Sequence, residues 1–121
     1  MTDTHGAESA SRLSIGHSAH DGIRIVSLRG EVDHHARDPL TAALLPPVGE
    51  SAPRTVVDLG GVTFMDSSGI NVLIHVHQAA EEADGWLRLA AAQDSVLRVL
   101  ELVGIDAVIP CHPDVSHALE G

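Results

Sequence analysis

The sequence predicts an α/β fold: a mixed sheet of four to five strands with helices packed on it. Three observations carry that prediction. Alternating apolar residues open the chain as a hairpin, and strand and helix patterns then take turns to its end. The length of 121 residues suits one ordinary domain. Hydrophobic residues make up 44%, enough for a core, and with one Trp, one Phe and no Tyr that core must be aliphatic.

Each element has its own justification. Residues 1–11 read as a flexible polar tail and residues 12–121 as the domain. Leu13 and Ile15 alternate with polar residues, Asp21-Gly22 marks a turn, and Ile23, Ile25 and Leu28 resume the alternation. "HHARDPLTAALL", residues 34–45, predicts a short helix that tolerates Pro39 only near its first turn and ends at Pro46-Pro47. "RTVVDLGGVTF" follows as a strand, where Gly60-Gly61 permits a sharp bend. From Ser67 a helical pattern begins. Ile70, Leu73, Ile74 and His77 fall at i, i+3, i+4 and i+7, Val76 and Ala80 extend that face, and Asp84-Gly85 stops it. "WLRLAA" alternates as a strand. "QDSVLRVLELVG" predicts a second amphipathic helix with Asp94 as N-cap and Gly104 at its end. "AVIP" reads as a brief strand and "PDVSHALEG" as a last helical turn or two.

Composition narrows the partners. A formal net charge of -10 leaves nothing to neutralise phosphates at scale, and the scarcity of aromatics removes the stacking platforms that bases need. Direct nucleic-acid binding is therefore not expected, nor attachment to an anionic membrane. The single Cys, Cys111, permits no internal disulfide and suits a reducing compartment. No apolar run reaches membrane-spanning length, and "MTDTHGAESAS" lacks the layout of a signal peptide. A cytoplasmic protein is expected.

The junction "FMDSSGI" holds the unusual chemistry. A strand–helix–strand crossover is parallel and right-handed, so the strands ending at "GEVDHH" and at "FMD" finish on one edge of the sheet. Ligands and partners of open α/β sheets meet that edge. Asp33 and Asp66-Ser67 are thus expected to be neighbours. Ser67 falls in the first turn of a helix, where free N–H groups and the positive dipole end would receive a phosphoryl group. A plain N-cap role for Ser67 or Ser68, worth about 1 kcal/mol, is the simpler account of one hydroxyl. Residue chemistry alone leaves both readings open, and the cap leaves the second serine and the acid unexplained.

"FMDSSGI", preceded by "VVDLGGVT" and, upstream, by "LRGEVDHH", resembles the bacterial anti-sigma factor antagonists built on the STAS domain. The likeness runs from about Arg12 to the C-terminus and implies a STAS-type mixed sheet. It also implies partner switching. The unphosphorylated antagonist binds an anti-sigma factor that is itself a GHKL-type serine kinase, and a sigma factor is freed. The kinase phosphorylates the serine after the aspartate, Ser67 here, and the antagonist lets go. A PP2C-type phosphatase resets the switch. The domain is then a binder and a substrate, not an enzyme, with no catalytic residue and no cofactor. The expected partner-binding residues are Asp33, His34, Asp66, Ser68, Gly69, Ile70 and Asn71. Ser68 is assigned to the helix cap and Gly69 to a close approach by the partner. Asn71 stands where the family usually has a small residue. "IHVHQAA" is more polar than the family pattern and is assigned to the partner interface. STAS-like domains also serve as scaffolds in stress-sensing assemblies and as tails of anion transporters, so a scaffold or adaptor without a phosphorylation switch is the alternative.

Other chemistries fit less well. Nine histidines invite a metal, but His34-His35 are adjacent and His75/His77 are two apart on a helix, so neither pair faces one way. Neither Cys-x-x-Cys nor His-Glu-x-x-His occurs, and no metal is expected. "MDSSG" is not the Gly-x-Ser-x-Gly of a hydrolase nucleophile. Asp58 lacks the earlier acidic pair of a phospho-accepting receiver and is assigned a turn role. Cys111 reads as a plain thiol and "EEADG" as a solvated helix end.

Overall fold

The structure, a computed structural model, describes residues 13–121. The tail expected at 1–11 lies outside the described residues. Strands β1 (Leu13–His20) and β2 (Ile23–Val32) form the hairpin. Asp21 and Gly22 both take positive φ at its tip, 52° and 80°, the geometry a two-residue turn needs to match strand twist. A 3-10 turn at His34–Ala36 leads into α1 (Arg37–Leu44), and β3 (Arg54–Met65), α2 (Ser67–Glu82), β4 (Trp86–Ala90), α3 (Asp94–Leu102), β5 (Cys111–His112) and α4 (Val115–Glu120) follow. The strands stand in the order β1-β2-β3-β4-β5. The hairpin is antiparallel and the other three pairings are parallel. This is the expected mixed α/β sheet, with five strands.

Strand alternation divides the core between two faces. Val26, Leu28, Val57, Leu59, Leu87 and Leu89 pack with residues of α1, α2 and α3 in the larger cluster. On the other face Ile23, Val56 and Ala90 meet Ala118 of α4. The apolar stripe of α2 is as expected and one position wider: Val72 is buried beside Ile70, Leu73, Val76, His77 and Ala80, and Ile74 is half-buried.

Three expectations need correction. Gly60-Gly61 does not bend the chain away, because β3 continues to Met65. The irregularity is absorbed by register shifts against β2, and the Asp58 carboxylate accepts a bond from Gly60 N at 2.9 Å, so Asp58 serves the backbone. Asp94 is the first residue of α3 rather than its cap. Gln93 is the N-cap, and its side chain instead donates to Gly60 O at 2.9 Å. "AVIP" is not a strand. Ile105–Ala107 forms a 3-10 turn, Ile109 is fully buried, and the short strand comes after it, pairing Leu89 with Cys111 and Ala90 with His112. Burying Ile109 in the larger core holds the chain in that turn, so contact with β4 resumes at Pro110, whose carbonyl accepts from Leu89 N at 2.9 Å. Among the described residues, no helix is long and apolar enough to cross a membrane.

Candidate functional site at the ends of the second and third strands

Parallel pairing fixes the site. Val32 stands opposite Met65, and Asp66 N donates to Val32 O at 3.1 Å. Asp33 and Asp66 therefore leave the sheet side by side, as the crossover rule requires. Each then does the same thing. Asp33 is extended (φ -123°, ψ -170°) and its carboxylate accepts from His35 N at 3.0 Å. Asp66 is extended (φ -108°, ψ -170°) and accepts from Ser68 N at 2.8 Å. Two carboxylates thus cap two helical segments, the 3-10 turn at His34–Ala36 and α2, on one sheet edge.

The cap of α2 is Asp66, not Ser68. The extended backbone of Asp66 puts its oxygen beneath the Ser68 N–H, while Ser68 already lies inside the first turn. Ser67 is the first helical residue and is exposed. Gly69 is buried. A Cβ there would come within 2.6 Å of Val32 Cγ1 and 2.9 Å of Met65 Cγ, so the close approach it permits is that of α2 to the strand ends. Ile70 belongs to the core, with 6% of its surface exposed. Of the expected site residues, His34, Ser67 and Asn71 are exposed, Asp33, Asp66 and Ser68 are half-buried, and Gly69 and Ile70 are interior. The His34 and His35 rings lie 4.0 Å apart between centroids.

The polar stretch of α2 splits. His75 is exposed, and with Asn71 and Val72 it faces Arg37 and Thr41 of α1 across a shallow cleft of about 150 Å³. His77 turns inward to 8% exposure, with Nε2 3.5 Å from Glu81 Oε2, so only part of "IHVHQAA" can meet a partner. Arg37 and Thr41 escaped the sequence reading, although each is one helical turn from the other, as are Asn71 and His75. Phe64 escaped it too. Opposite Glu31 at the same sheet edge, it keeps 49% of its surface exposed.

Residues 17–118 match the STAS domain family. The chain belongs to that family. An anti-sigma F factor antagonist of Paenibacillus polymyxa is 28% identical to this STAS protein over 108 residues, which cover 88% of this chain and 92% of the relative. The crystal structure of an anti-sigma factor antagonist from Mycobacterium paratuberculosis superposes with a TM-score of 0.80 at 28% identity, covering 92% of this chain and 93% of that one. The Bacillus cell fate determinant SpoIIAA, solved in its phosphorylated form, shares the STAS fold at a TM-score of 0.66 and 18% identity, covering 88% and 97%.

Proposed function

We propose that this STAS protein is a cytoplasmic anti-sigma factor antagonist whose grip on its partner is set by phosphorylation of Ser67. In this reading it binds an anti-sigma factor kinase of the GHKL type while unphosphorylated, and thereby frees a sigma factor. A PP2C-type phosphatase restores the binding form. It acts as substrate and binder rather than as an enzyme. The partner surface comprises Asp33, His34, Asp66, Ser68 and Asn71, and Gly69 and Ile70 act from beneath by seating α2.

The observation that carries the reading is the position of Ser67. It is exposed at the start of α2, beside the carboxylate of Asp66, on the edge where Asp33 also emerges. A phosphoryl group would add roughly -1.5 to -2 charges there. Like charge closed into an interface costs several kcal/mol. At about 1.4 kcal/mol per tenfold, that is two or more decades of affinity. A single modification is then enough to release the partner.

The test is phosphoryl transfer from radiolabelled ATP in lysate of the native host, on wild type, Ser67→Ala and Ser68→Ala. Loss of label with Ser67→Ala alone supports the switch. Label that survives in Ser67→Ala overturns it, and label on neither serine in wild type favours a scaffold role. With the kinase in hand, Ser67→Ala should stay bound in ATP and Ser67→Asp should bind at least about 100-fold more weakly. Equal binding by Ser67→Asp and wild type would refute the charge mechanism. Asp33→Ala should change kinase affinity or labelling rate, and unchanged values would remove Asp33 from the surface.

A further inference from the structure

The cleft between α1 and α2 gathers polar groups that the fold leaves unused. Arg37 and Thr41 line it from α1, and Asn71, Val72 and His75 from α2. Asn71 and His75 are exposed, and among the described residues their side chains make no hydrogen bond. Arg37 stands apart from three other arginines, each of which serves the backbone. Arg24 Nη2 donates to Leu44 O at 2.7 Å, Arg54 Nη2 to Asp21 O at 3.2 Å and Arg88 Nη1 to Ala118 O at 2.9 Å. Arg37 has only an ion pair of 3.9 Å with Asp38, whose side chain is 96% exposed, and such a pair contributes little in water. Nor does Arg37 help its own helix. It is the first residue of α1, at the positive end of the helix dipole, where an acid is the stabilising choice.

Position ties the cleft to Ser67. Ser67, Asn71 and His75 are spaced four residues apart along α2 and all are exposed, so they form one row on its surface. A partner that covers Ser67 and follows that row meets the cleft next. Charge then selects the occupant. No acid lines the cleft, although the chain carries a net charge of -10. The planar guanidinium fork matches a carboxylate with two parallel bonds, and the Asn71 amide and the His75 ring can each donate to the remaining lone pairs. The volume of about 150 Å³ suits the end of one side chain. A cavity of that size holds benzene, and a carboxylate on one or two methylenes is no larger. We propose that the α1–α2 cleft docks a carboxylate side chain of the anti-sigma factor kinase, and that Arg37 thereby sets partner choice.

This docking rests on the Ser67 switch proposed above, and the experiment separates the two. The host kinase, enriched from lysate by its labelling of Ser67, is assayed for kcat and KM on wild type, Arg37→Lys, Arg37→Ala and Arg37→Glu. Arg37→Glu is expected to raise KM about tenfold or more, with the loss in KM rather than kcat. The variant should fold, since an acid suits the first turn of α1, and its amide NMR spectrum checks that. Arg37→Lys keeps the charge without the fork and should fall between. Added salt should raise KM more for wild type than for Arg37→Ala. Each exposed Asp and Glu of the kinase is then changed to Arg, and one such variant should restore labelling of Arg37→Glu while losing that of wild type. An unchanged KM in Arg37→Glu overturns the docking and leaves the switch standing. So does a loss that no kinase variant restores, or faster labelling of Arg37→Glu, which would give the cleft to acidic residues of the chain itself. Absence of label on wild-type Ser67 removes the switch, and this docking with it.

Discussion

Asp66 and Gly69 act on the first turn of α2 from opposite sides. Asp66 ties down the Ser68 N–H, and Gly69 lets the helix lie against Val32 and Met65. Asp66→Ala should therefore lower stability by about 1 kcal/mol, while Asp66→Asn, an equally good cap, should leave it near wild type. Urea unfolding of the pair separates the cap from the charge. If Asn is as damaging as Ala, the negative charge rather than the hydrogen bond holds the turn. At Gly69 two effects oppose. Alanine is the better helix former by up to about 1 kcal/mol, but its Cβ would overlap buried side chains of two strands, a strain of about 1–3 kcal/mol. The overlap wins on these magnitudes, so Gly69→Ala should be destabilised by about 1 kcal/mol, read from the same unfolding curves. A variant as stable as wild type would mean that α2 can rise off the strand ends. Sequence could bring Asp33 and Asp66 together because that follows from parallel pairing. It could not choose between Asp66 and Ser68 as cap, because both are strong cap formers and differ by two positions. It also gave Gly69 to the partner, since an interior contact made by a missing side chain leaves no trace in a periodicity.

Among the elements, α1 is held at its end by a residue from the sheet. Arg24 of β2 donates from Nη1 to Ala43 O at 3.2 Å and from Nη2 to Leu44 O at 2.7 Å, and its guanidinium also reaches Thr55 Oγ1. The last carbonyls of a helix have no intrahelical partner, so this fork does what a C-terminal cap would. Arg24→Met keeps the stem and removes the fork. Charged hydrogen bonds are worth about 1.5–3 kcal/mol, and partial exposure discounts that toward the lower end. The urea midpoint should fall accordingly with an unchanged slope, and a changed slope would place the effect in the unfolded chain. At α4 the cap is titratable. Asp114 accepts from His117 N at 2.8 Å, and its Oδ1 lies 2.7 Å from His117 Nδ1. The bonds to His117 hold the Asp114 carboxyl below its usual range, and the Asp114 side chain raises the His117 imidazole. The two signs define a window. The histidine contribution is complete below about pH 6.5 and fades as pH rises through its raised folded value, and the aspartate contribution is complete above about pH 4 and fades as pH falls through its lowered one. An NMR titration of the His117 ring should thus show a midpoint above that of an ordinary histidine, returning toward it in Asp114→Asn. An unmoved midpoint would show that the ion pair is absent in solution. The hairpin and α2 were legible because their periods run for many residues. The start of α3 and the place of β5 were not, since the Gln93 side chain bonds Gly60 rather than the helix it caps and Ile109 is fixed by the core rather than by local pattern.

For the whole molecule, a hairpin and one parallel crossover from β2 to β3 were legible, and the remaining order β1-β2-β3-β4-β5 is a finding of the structure. Which helix covers which face was not. α4 is too short for its apolar positions to declare a side, yet among the described residues it alone supplies the helical residues packed on the face of Ile23, Val56 and Ala90. The larger core seats α1, α2 and α3, and with them Ser67. The fold thus separates the face packed by α4 from the face that carries α2 and Ser67. Arg88 ties the α4 side together, stacking over Trp86 at 3.6 Å and donating to Ala118 O at 2.9 Å. Deleting residues 114–121 would uncover Ile23 and Val56, each worth about 1.5–3 kcal/mol when fully buried. The new exposure is partial, so a loss of roughly 3 kcal/mol is expected, visible as a lower Tm. Under the proposed switch, labelling of Ser67 below that Tm should keep the wild-type rate, because the residues of α4 pack in the smaller cluster and not in the core beneath α2. A fully folded truncation that labels slowly would show that the two faces are coupled through the sheet, and that α4 belongs to the switch.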